Sequence, residues 1–143
     1  MKKRQYFHAI RRDINYLILC STKTDKGIDT LEEVNREVRK TGYQDCGHHL
    51  VIRRDGTVEP CRRMDESARC SLQHNVAAIS VAYIGGKMDG EPFFTATQAQ
   101  LDAMRNVVTV LKLCFPMVEV YTRQELTGND IASKELEEMT DEK

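Results

Sequence analysis

Gly47-His48-His49-Leu50-Val51-Ile52-Arg53-Arg54-Asp55-Gly56-Thr57-Val58-Glu59 is the stretch that decides the fold. Asp55-Gly56 separates His49-Leu50-Val51-Ile52 from Thr57-Val58-Glu59. An Asp-Gly pair supplies the positive backbone dihedrals of a tight turn, so the stretch predicts a β-hairpin. Upstream, Ile14-Asn15-Tyr16-Leu17-Ile18-Leu19-Cys20 is a short, nearly continuous apolar run rich in branched and aromatic residues, the pattern of a central strand buried on both faces. Between the two, Thr30 with Glu33 three residues on makes a capping box; Leu31, Val34 and Val38 share one helical face, and Gly42 ends the helix.

Downstream, Ala78-Ile79-Ser80-Val81-Ala82-Tyr83-Ile84 predicts a strand stopped by Gly85-Gly86, and residues 87–92 read as a loop. Thr95 and Gln98 are assigned as a second capping box. Leu101, Met104, Val108, Leu111 and Phe115 then recur at steps of three and four through the longest helix, a core stripe that Pro116 terminates. Val118-Glu119-Val120-Tyr121 predicts a last strand, and an acidic helix or tail begins at Ser133. This order predicts a single-domain α/β (α+β) fold with a central mixed β-sheet flanked by helices. Residues 1–13 are read as an N-terminal extension, 14–136 as the domain and 137–143 as an acidic tail.

The 143 residues are 41% hydrophobic and 30% charged, enough for one buried core. Lys plus Arg number 21 against 22 Asp plus Glu, so no broad field draws the chain to nucleic acid or an anionic membrane, and neither is an expected partner. No apolar run approaches the ~20 residues that span a bilayer. Met1-Lys2-Lys3-Arg4 leads into Gln5-Tyr6-Phe7-His8 and not into an apolar signal core, so a cytoplasmic location is expected. Cys20, Cys46, Cys61, Cys70 and Cys114 are an odd count without a close Cys-x-x-Cys pair; reduced thiols are expected, not a disulfide framework or a zinc ribbon. Cys114 follows the helical stripe and is read as a small core residue, while His8 and His74 are read as surface side chains.

The hairpin segment, the Gly85-Gly86 strand end and the long capped helix before Phe115-Pro116 together resemble the zinc-dependent N-acetylmuramoyl-L-alanine amidases, a family that includes phage amidase lysozymes and peptidoglycan recognition proteins. The resemblance covers residues 14–136. It implies three protein ligands to zinc and a water in the fourth position, which the metal acidifies and aims at the amide joining lactyl-muramic acid to L-alanine. At the matching positions this chain carries Cys20 for the first ligand, Arg123 for the second and Ile131 for the third, with Asp130 one step away as a substitute. A thiolate can ligate zinc, but a guanidinium has no lone pair to offer and repels a divalent cation. The resemblance also matches Asn129 to an oxyanion-stabilising Lys, His48 to the Tyr that opens the hairpin, and Cys70 to a His of the substrate cleft, where Asn75 persists. His48 and His49 are adjacent in a strand, so their rings point to opposite faces and do not readily share one metal.

Every expected catalytic position is changed. The function these substitutions imply is an amidase-like domain acting on or binding peptidoglycan (muropeptide), catalytically inactive and without a cofactor, contacting its ligand through His48, Cys70, Asn75 and Arg123. In that reading Arg123 replaces the charge of zinc and pairs with Asp130, Glu125 or a Cys20 thiolate. The partner is a peptidoglycan fragment or a protein, and the cell wall is reached only by lysis or other export. The alternative is an active amidase whose zinc is held by Cys20, Asp130 and either His48 or Cys70, with Arg123 swung away. A third reading makes Cys20 a metal-free nucleophile with His48 as base, and a fourth is a protein-interaction module.

Overall fold

The two apolar runs that are buried on both faces sit inside the sheet, and the shorter, half-polar strands form its rims. The computed structural model describes residues 12–69 and 75–122. Its elements are β1 (Tyr16–Ser21), α1 (Leu31–Arg39), β2 (Leu50–Ile52), β3 (Val58–Pro60), β4 (Ala78–Tyr83), β5 (Lys87–Met88), β6 (Glu91–Pro92), α2 (Gln98–Cys114) and β7 (Glu119–Thr122). Five strands run in the order β3-β2-β4-β1-β7. Among the described residues of this sheet, β1 is parallel to β4 and β7, β2 is parallel to β4, and the β2–β3 hairpin is antiparallel, giving the mixed sheet that the element order predicts.

α2 covers one face. Its stripe of Leu101, Met104, Val108 and Leu111 packs with Leu17, Leu19, Ile79, Val81, Tyr83 and Val120 in the main core. On the opposite face, Val34 of α1 packs with Val51, Ile84 and Cys46. Beside it Ile18, Cys20, Ala78 and Ala82 form a smaller cluster, joined by Tyr16 and Tyr121. Alternation along β1 therefore sends Leu17 and Leu19 to α2 and Ile18 and Cys20 to the other side. α1 starts at the predicted Thr30–Glu33 capping box.

Four local expectations need correction. The cap of α2 is Thr97 with Gln100, not Thr95 with Gln98. Thr95 is engaged elsewhere: its Oγ1 accepts the Gly86 N–H at 2.8 Å and its own N–H donates to the Tyr83 hydroxyl at 3.3 Å. Residues 87–92 are not an irregular loop but the small β5–β6 hairpin, turning on Asp89 (φ 52°) and Gly90 (φ 81°), both positive as a two-residue turn requires. At Asp55-Gly56 only Gly56 has positive φ, 92°. Gly56 N–H donates to Arg53 O and Arg53 N–H to Thr57 O, both at 2.8 Å, so the turn has three loop residues with glycine in the left-handed position.

Cys114 is exposed, not core. It lies three residues past Leu111, which at ~100° per residue carries it to the side of Leu111 away from Met104 and Val108, outside the buried stripe. Gln100, by contrast, is fully buried and ties the fold together. Its Nε2 donates to Ile52 O and Ile84 O, each at 3.0 Å, while its Oε1 accepts the Thr97 N–H at 2.9 Å.

Candidate functional site

The small residues of β4 lie buried on the sheet face opposite α2. Ala78, Ser80 and Ala82 point there, next to Ile18 and Cys20 of β1. Ser80 is the one polar residue between Ala78 and Ala82 of β4, and it is fully buried. Its Oγ lies 2.6 Å from His48 Nδ1 and 3.6 Å from Cys20 Sγ, while the Cys20 thiol also reaches Ile18 O at 3.8 Å. A thiol, a hydroxyl and an imidazole thus form one buried hydrogen-bonded chain from β1 through β4 to the start of β2. The rings of Tyr16 and Tyr121 pack at its side, tilted by 40° with centroids 5.4 Å apart.

The hairpin places the two histidines as alternation requires. His48 faces the Ser80 hydroxyl; His49, fully buried, turns the other way into a backbone pocket. His49 Nδ1 accepts the Ser80 N–H at 3.0 Å, which puts the proton on Nε2, where it donates to Glu66 O at 2.8 Å. The Arg12 guanidinium lies 3.0 Å from the same nitrogen and donates to Met64 O, Val76 O and Ala78 O. Burial, opposed by the Glu66 carbonyl and assisted by Arg12, lowers the His49 pKa to about 4. His49 is therefore a neutral structural imidazole, and His48 alone faces the site.

Among the positions singled out from sequence, Cys20 and His48 are brought together through Ser80. Ser80 was missed. Its signal is a serine in the middle of an otherwise apolar strand segment, whose hydroxyl burial obliges to find a partner. Asn75 opens the short 3-10 turn Asn75–Ala77 that leads into β4. His8, Cys70, His74, Arg123, Glu125, Asn129, Asp130, Ile131 and the acidic segment from Ser133 lie outside the described residues. β7 ends with Thr122 opposite Leu19, one residue before Cys20.

Zinc would take a thiolate and a neutral imidazole, and Cys20 and His48 are of those types. Among the described residues no group of three His, Cys, Asp or Glu side chains is arranged to hold a metal ion. Cys20 Sγ and His48 Nδ1 are both hydrogen-bonded to Ser80 Oγ. The described residues alone do not fit a zinc site. Nor, among them, is any helix long and apolar enough to cross a membrane.

Solved structures share this architecture. The N-acetylmuramoyl-L-alanine amidase LysC from Clostridium intestinale URNW superposes with a TM-score of 0.68 at 19% identity, over 94% of this chain and 85% of that one. Drosophila peptidoglycan recognition protein SD superposes with a TM-score of 0.60 at 15% identity, over 79% and 70%. The fold is thus that of the amidases and peptidoglycan recognition proteins, as the hairpin resemblance implies.

No family model matches the sequence. A direct relative does: the endolysin of Klebsiella phage KP32 is 30% identical over 105 residues, 72% of this chain and 70% of the relative. The chain belongs to the amidase-like phage endolysin family.

Proposed function

We propose that this chain, through a domain spanning residues 14–136, binds peptidoglycan fragments in the amidase cleft without hydrolysing them. The observation that carries the reading is the Cys20–Ser80–His48 chain, in which the thiol and the imidazole are engaged by a hydroxyl. Arg123, next in sequence after β7, supplies a permanent positive charge where the resemblance expects a metal ligand. In this reading the guanidinium replaces the divalent ion as the group that attracts an anionic or carbonyl oxygen, but it cannot acidify a water. His48, Cys70 and Asn75 complete the ligand contacts.

The test is calorimetric titration with a soluble muropeptide, run beside a chromatographic assay for release of the L-alanine-headed peptide. Saturable binding without release is expected, and Arg123→Ala weakens it. A second reading draws on the same convergence of Cys20 and His48: Cys20 and Asp130, with either His48 or Cys70, hold a rebuilt zinc and the chain is an active amidase. Release of peptide by the wild-type chain, abolished in Cys20→Ala, would establish that second reading instead.

A further inference from the structure

The hairpin that carries the two histidines is closed at its base by a second pair of thiols. Cys46 lies just before β2 and Cys61 just after β3, fifteen residues apart in sequence, yet their sulfurs are 3.9 Å apart and the Cys46 thiol donates to Cys61 Sγ. We infer that Cys46 and Cys61 are a redox-active dithiol which a small-molecule disulfide oxidises to a bridge across the hairpin base, two residues from His48. This inference does not depend on what the cleft binds.

The pair is held in place from three sides. Cys61 N–H donates to His49 O at 2.8 Å and Arg62 N–H to His48 O at 3.1 Å, continuing the β2–β3 ladder past its last strand residues. Asn35 of α1 clamps both partners, its Oδ1 accepting the Cys46 N–H at 3.0 Å and its Nδ2 donating toward Cys61 Sγ at 3.9 Å. Asp45 fixes the approach to Cys46 by accepting from Gly47 N–H at 2.7 Å and from Arg62 at 2.8 Å. A disulfide needs its sulfurs ~2.0 Å apart, so the two sulfurs have about 2 Å to travel for the bond to close.

The two thiols differ in the way a two-step exchange requires. Cys46 is buried, whereas Cys61 is partly exposed and open to a reagent. Donation from Cys46, opposed by burial and aided by Asn35 and Arg62, lowers the Cys61 thiol to about 7. The Cys61 thiolate attacks one sulfur of the small disulfide, forming a mixed disulfide and expelling one thiolate. Cys46 then loses its proton and attacks the Cys61 sulfur, expelling the second. Two protein thiols lose two electrons and two protons, and the small disulfide becomes two thiols. The pair stays open in a reducing compartment and closes in an oxidising one.

The test incubates the full chain with glutathione disulfide near neutral pH, alkylates the remaining thiols and maps tryptic peptides by mass spectrometry. Peptides 41–53 and 55–62 are expected as one disulfide-linked species that dithiothreitol separates. The oxidised chain should unfold on the order of 10 °C higher than the reduced one, because a loop of this length is removed from the unfolded ensemble. Cys46→Ser should stop at the mixed disulfide on Cys61. Peptides 41–53 and 55–62 recovered unlinked from the oxidised wild type, or Cys61 linked to another cysteine, would overturn the inference.

Discussion

Acid should destabilise this protein through His49, and the size of the effect follows from its pocket. The residue is fully buried and its pKa falls from 6.5 to about 4 in the folded state. As pH drops, the unfolded chain takes up the proton near 6.5 while the native imidazole stays neutral until about 4. The stabilisation is complete above pH 6.5, is lost between 6.5 and about 4, and changes little below. At 1.36 kcal/mol per pKa unit the whole window is worth about 3 kcal/mol, and about 2.5 kcal/mol of it disappears between roughly pH 7 and pH 4.5. Urea unfolding of the wild type and of His49→Asn across this range isolates the term, since their carboxylates are common to both. The variant keeps an acceptor for the Ser80 N–H and is expected to lose the steep segment. Identical pH slopes in the two proteins, or an NMR titration placing the His49 ring at or above 6.5, would refute the reasoning.

Other substitutions probe the remaining contacts. Gln100→Met keeps the volume but removes the Gln100 partner of Ile84 O and of the Thr97 N–H, while Ile52 O keeps the Ile84 N–H; it should cost about 2–3 kcal/mol in urea unfolding. Ser80→Ala removes the hydroxyl between Cys20 and His48, lowers stability by about 1–3 kcal/mol and weakens muropeptide binding in calorimetry. Gly56→Ala introduces a Cβ at φ 92° that meets Ala99 O at 3.0 Å; a loss of about 1–3 kcal/mol is expected in thermal unfolding. Thr97→Ala should cost about 1 kcal/mol in the same measurement through the lost cap.

The elements that follow one strong local rule were legible in the sequence. The hairpin, the Thr30–Glu33 cap and the stripe of α2 need only periodicity and turn chemistry, and the structure carries all three. Misreadings arose where two local signals competed. Thr95 and Thr97 are both capping types, and the choice between them depends on the long-range bonds of Thr95 to Gly86 and Tyr83. The Asp89-Gly90 hairpin has strands of only two residues, too short for alternation to register. At the candidate site, Cys20 and His48 are singled out by matching motif positions, and the structure brings the two together through Ser80. The partners of Ser80 are set by strand register across 32 and 60 positions, which the sequence does not show, and the approach of Cys46 to Cys61, fifteen positions apart, depends on the register of the hairpin.

The central claim, a cleft that binds without metal hydrolysis, is tested most directly by one measurement: zinc per chain in protein purified without chelator, read together with cleavage of the lactyl-L-alanine amide. The account predicts zinc far below one per chain and an intact amide at saturating muropeptide. One zinc per chain, lost in Cys20→Ala together with amide cleavage, would contradict it.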